Sequence, residues 1–109
     1  MFLPDNNPMS ELADAQEKAT EACSKSLDET AEAENAYLRS YHRAWRDSAS
    51  IPASIRAKHT EFNSIEVVEA KADWNYAKAR EKSCYAKLDE LNRRQIALMS
   101  YNKFLHNQT

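Results

Sequence analysis

Between Glu11 and Ser48 the apolar residues fall at steps of three and four: Leu12, Ala15, Ala19, Cys23, Leu27, Ala31, then Leu38, Tyr41 and Trp45. That spacing marks one face of a helix. Only a gap at Glu34 breaks the series, and neither Pro nor Gly occurs in the segment. Ser10 is a plausible N-cap, with Glu11 and Asp14 in the first turn, where the helix dipole favours anions. A second series starts at Ile55, Phe62, Ile65, Val68, Ala72 and Ala79, and sharpens to a heptad seam at Cys84, Leu88, Leu91, Gln95, Leu98, Asn102 and Leu105. Between the two lies DSASIPAS, where Pro52 removes a donor and biases Ile51 away from helix. Ser54 offers a cap for the second helix. The pattern predicts a helix over about 10–48, a turn at 48–54 and a helix over about 55–105, behind an irregular arm at 1–9 that carries Phe2 and Leu3.

Glycine is absent from all 109 residues. Tight hairpin turns and phosphate-cradling loops, which depend on φ > 0, are therefore not expected. The predicted fold is all-α: one domain over 10–109, a long antiparallel helical hairpin. A two-helix unit of this size buries little of its surface, so oligomerisation into a helical bundle or coiled coil is expected. Folding back at Ile51 would set Trp45 opposite Ala57, Leu38 opposite Ile65, Ala31 opposite Ala72 and Leu12 opposite Leu91. The second helix would then overhang the first by roughly 18 Å. Leu88, Leu91, Leu98 and Leu105 form the candidate oligomer seam, with polar Gln95 and Asn102 inside it, either as fraying or as a register-fixing device. The overhang would pack on a second chain, on the Phe2–Leu3 arm or on a target. The same register separates Cys23 from Cys84 by about five residues along the axis, too far for a bridge.

Charge changes this picture little. Fifteen basic residues stand against seventeen acidic ones, which offers no general reason to bind nucleic acid. The acidic residues crowd 11–36 and the basic ones 71–94, as two complementary antiparallel helices require. The cysteines match no zinc or redox spacing. Met1-Phe2-Leu3-Pro4 lacks the features of a signal peptide, and no segment approaches a membrane span. The expected setting is the cytoplasm.

Catalytic signals are poor: no His-Glu-x-x-His, no nucleophile elbow and no phosphate loop occurs. His42, His59 and Glu61 fall close across the predicted turn, a set that could hold zinc but that reads more simply as a half-exposed pair at a helix end. No enzyme, cofactor or metal site is expected. Aromatic residues offer more. Trp74 and Tyr76 lie two positions apart and cannot both point inward. Trp74, Tyr85, Met99, Tyr101 and Phe104 are candidate anchors for a protein partner. Lys71, Lys78, Arg80, Lys82, Lys87, Arg93 and Arg94 surround several of these rings, an arrangement that could stack and neutralise single-stranded nucleic acid.

The segments AYLRSYHRAWRDSAS, SIRAKH, VVEAKADWNYAKAR and KLDELNRRQIALMS together resemble small all-helical accessory proteins of tailed bacteriophages and prophages, often encoded near recombination or replication genes. That resemblance implies a non-enzymatic interaction protein in the bacterial host cell. It would support recombination or replication, or modulate a host protein, with no catalytic residue to carry over. A second resemblance, to secreted helical hairpins with a Trp-x-Gly turn and a Tyr-x-x-x-Asp/Glu signal, rests on Trp45-Arg46-Asp47 and on Tyr85 with Asp89. The Gly is missing and Tyr85 lies within a helix segment. Direct single-strand binding and a secreted hairpin are thus the alternative functions.

Overall fold

The computed structural model describes residues 8–107. They form three helices, α1 (Pro8–Asp47), α2 (Ala53–Asn63) and α3 (Ile65–Asn107), with no strand among the described residues. The chain is all-α, as its composition predicts. Phe2 and Leu3 lie outside the described residues, but Pro8 and Met9, expected in the arm, open α1. Proline suits a first helical position because the N–H it lacks would have had no partner there.

The expected second helix is two helices. Pro52 precedes α2 without a side-chain cap, and Ser54, expected to cap it, lies inside its first turn. α2 stops at Asn63, and Ser64 is extended, with φ −105° and ψ 121°. Asn and Ser are weak helix formers because their side chains compete for backbone groups, and Ser64 starts the next helix instead. Its Oγ accepts a long bond from the Val67 N–H at 3.5 Å, and its carbonyl accepts from Val68 N–H at 3.0 Å. This is N-cap geometry.

The break corrects the register. The Trp45 carbonyl accepts from the Arg56 guanidinium, one residue from the expected partner Ala57. Beyond Ser64 the pairing is displaced by more than a turn. Tyr37 stacks on Trp74, in place of the expected Leu38–Ile65 pairing, and Thr30 reaches Ala77, in place of Ala31 opposite Ala72.

The helices divide into two compact units, one of the residues up to Lys25 together with those from Lys82, the other of Ser26–Glu81. In the second unit the inward face of α1 is Ser26, Thr30, Ala33, Tyr37, Ser40, Ala44 and Ser48, facing Thr60, Val67, Trp74 and Ala77. The helices pack antiparallel on small residues. Thr30, Ser40, Ser48 and Thr60 each return their hydroxyl to the carbonyl four residues back, at 2.8–2.9 Å, so they enter the seam with their donors satisfied. The expected stripe of Leu27, Leu38, Ile65 and Val68 is exposed, from 41% at Leu38 to 75% at Ile65. A pair of helices buries one narrow seam. Here the small residues and the Tyr37–Trp74 stack hold it, and the aliphatic stripe is turned one residue, about 100°, away.

In the first unit the late heptad, expected as an oligomer seam, is wholly or partly covered at Cys84, Leu88, Leu91, Gln95 and Leu98, whereas Asn102 and Leu105 are exposed. Leu12 and Leu91 are buried, and both line a groove with Ala15 and Leu98. Gln16 Nε2 donates to Gln95 Oε1 at 2.9 Å and to Asn92 Oδ1 at 3.0 Å. Gln95 therefore forms a polar layer within the chain. The Cys84 thiol approaches the Ala22 carbonyl at 3.9 Å. The two cysteines are thus level with each other, which corrects the expected offset, and both are thiols.

Candidate functional site

Trp74, first among the candidate anchors, is committed to its own unit. Its ring lies 5.3 Å from Tyr37, at 28°. Lys78 Nζ stands 4.0 Å above it, and Lys71 Nζ stands 5.1 Å from Trp74 and 4.9 Å from Tyr37. Its indole N–H is buried without a hydrogen-bond partner, as happens when ring packing, not polarity, sets the orientation. Tyr41 continues the stack toward Trp45, whose ring is covered by Arg56 at 4.0 Å. Burial pushes the Tyr37 phenol above its usual range, and the charge of Glu61 and then the neighbouring Tyr41 add to this.

Several of the candidate nucleic-acid-binding cations have other engagements. Lys71 and Lys78 cover aromatic rings, Arg80 pairs with Glu29 at 3.2 Å and lies over Tyr76, and Arg94 pairs with Glu90 at 3.1 Å. Lys82, Lys87 and Arg93 are exposed. The ion pairs are themselves largely exposed, and such pairs contribute little stability. In the second unit Tyr37 is buried and Trp74 and Lys71 are half-buried against it, while Tyr76, Lys78 and Arg80 are exposed.

The remaining anchors are open. Tyr85, Met99, Tyr101 and Phe104 are exposed, Phe104 by 58%, and Ile96 and Leu105 accompany them. At 100° per residue, Ile96, Met99, Tyr101, Phe104 and Leu105 point in all directions around the end of α3. A helix that is apolar all round is normally an enclosed one. Of the candidate oligomer seam, Leu88, Leu91 and Leu98 are wholly or partly covered within the first unit and Leu105 alone is exposed. The expected overhang shrinks accordingly, because α1 reaches back to Pro8 and shares a groove with Leu98.

Sequence reasoning missed one polar groove in the second unit, of about 290 Å³, where Arg43, Asp47, His59 and Glu66 converge. Arg43 Nη1 binds Glu66 Oε2 at 3.0 Å, and His59 Nδ1 lies 3.3 Å from Ser48 Oγ. His42 meets the ring of Tyr41 edge-on. His42, His59 and Glu61 do not assemble: among the described residues no three His, Cys, Asp or Glu side chains group as a metal ion would require. No helix among those residues is long and apolar enough to cross a membrane. The groove depends on the Ser64 break, so a single uninterrupted helix pattern hid it. Comparison of the chain with protein-family models, with curated proteins and with solved structures finds no match.

Proposed function

We propose that this chain is a non-enzymatic interaction protein of helical-hairpin type. It would self-associate and present the end of α3 to a protein partner. The observation that carries this reading is the ring of exposed apolar side chains around that end, including Met99, Tyr101 and Phe104. Large aromatic and thioether side chains left in water are what a partner's pocket takes up. Antiparallel pairing inside each unit supports the hairpin. The sequence resemblance supplies the setting: a bacteriophage or prophage accessory factor, acting in the host cytoplasm on a phage recombination or replication protein or on a host protein.

Capture from a bacterial lysate by the immobilised chain, compared with a Tyr101→Ala, Phe104→Ala variant, tests the reading. A partner retained by the parent and lost by the variant, with helix content unchanged, is the expected result. If both capture the same proteins, or none, the α3 end is not the binding element. Direct single-strand binding predicts instead an oligonucleotide affinity that falls steeply with salt; with Lys71, Lys78, Arg80 and Arg94 already engaged, a weak and shallow dependence is expected.

A further inference from the structure

The second unit has two unlike edges. On one, Arg43 binds Glu66 and Arg80 binds Glu29. On the other lie the aliphatic residues that the seam leaves out. In α1, Leu27, Ala31 and Leu38 each follow an inward residue, Ser26, Thr30 and Tyr37, by one position. In α3, Ile65 and Val68 follow Ser64 and Val67 in the same way, and Ala72 is seven residues beyond Ile65. In an antiparallel pair, positions one step past the seam on each helix fall on the same side. All six residues are exposed.

We infer that this edge of the second unit is the self-association face, and that its occupant is the same edge of a second copy. The inference rests on the self-association in the proposed function and names the face that mediates it. Three observations point to a copy. The first is area. With exposures of 41–75% at the four larger residues, the six leave on the order of 400 Å² of apolar surface, about half of what each partner buries in a standard interface. Flanking side chains would supply the rest. The second is the distribution of volume. Ser26, Thr30, Ala33, Ser40 and Ala44 fill the intrachain seam while Leu, Ile and Val lie outside it. A solitary helix pair has no reason to place its largest aliphatics in water, whereas a four-helix arrangement places them at its centre. The third is symmetry. A two-fold contact needs one patch that complements itself; this edge carries apolar residues on both helices, and Glu34 in α1 and Lys78 in α3, each also one position past a seam residue, are oppositely charged members of the same patch. Tyr85, Met99 and the α3 end belong to the first unit and are not among the residues of this face, so assembly and partner binding use different residues.

Sedimentation equilibrium of the full chain tests the inference. The parent should be a dimer at tens of micromolar, with an unfolding midpoint that rises with protein concentration. Leu38→Glu with Val68→Glu should halve the mass while keeping the helical circular dichroism signal, because both positions are exposed in the single chain. Met99→Asp with Phe104→Asp should stay dimeric. Three results would overturn the inference: a monomeric parent with a concentration-independent midpoint, a Leu38→Glu, Val68→Glu variant of unchanged mass, or dissociation by the Met99→Asp, Phe104→Asp pair alone. The last two leave self-association standing and remove only this face. The first removes self-association too, and leaves partner capture by the α3 end as a separate question.

Discussion

Tyr37 and Trp74 stack with ring centroids 5.3 Å apart, joining α1 to α3 at the one place in the second unit where both seam residues are large. Around them the seam is Ser, Thr and Ala, so this pair carries a disproportionate share of the buried area there. Trp74→Ala should destabilise the fold by about 2–3 kcal/mol, less than a fully buried Trp because the ring is partly exposed. Trp74→Phe should recover more than half of that loss. Urea unfolding followed by circular dichroism at 222 nm reads both. An Ala variant within error of the parent would show that the stack does not hold the helices together.

Tyr37 should also make the stability of the protein sensitive to alkali. The Tyr37 phenol has its pKa raised, by burial first, then by Glu61 and Tyr41. The folded state therefore keeps a proton that the unfolded chain has already lost. The stability from this group is complete below the unfolded value of about 10 and falls as pH climbs through the higher folded-state value. Tyr37→Phe keeps the ring and removes the titration, so its stability should decline less steeply above pH 10. Thermal melts of parent and variant between pH 8 and 11 compare the two slopes; parallel slopes would dismiss the effect.

Gln16 and Gln95 form the polar layer of the first unit. Gln16→Ala should cost about 1 kcal/mol, through lost amide bonds and a partner left half-buried. Gln16→Leu with Gln95→Leu, which removes both polar groups together, should be neutral or stabilising by the same reasoning. Chemical denaturation of the three proteins gives the ranking. A double variant less stable than the single one would mean that the amides do more than satisfy each other.

Cys23 is buried and Cys84 half-buried, and both are thiols. Iodoacetamide under native conditions should label Cys84 well before Cys23, as peptide mass spectrometry would show. A reducing agent should leave the melting temperature unchanged, since no native bridge exists to break. Equal labelling rates would contradict the packing described for the first unit.

The helical content, the turn near Pro52 and the Leu91 heptad are legible in the sequence because large apolar residues sit at seam positions there. Between Ser26 and Val68 hydrophobic periodicity points to the wrong side. Leu27 and Leu38 outrank Ser26 and Thr30 on any hydrophobicity scale, yet small side chains that let the helices approach closely lie between them, with the Thr30 hydroxyl bonded to its own helix and the Ser26 hydroxyl buried without a partner. The tandem Asn63-Ser64 is the readable sign of the break, and it is weak because neither residue is Pro or Gly. Trp74 stands out in the sequence, but as an outward anchor; nothing local pairs it with Tyr37, which is 37 residues away.

Ser64 behaves as a phase setting for everything after it. A helix carries its direction forward at 100° per residue, and one extended residue lets α3 start at an angle that α2 does not dictate. Deleting a single residue at this junction would slide Val68 into the place of Val67, an exchange of one valine for another that the seam would hardly register. It would also put Asn75 where Trp74 meets Tyr37, and Lys78 where Ala77 meets Thr30. The valine pair alone would accept either setting of α3; the indole ring is the key that admits only one of them.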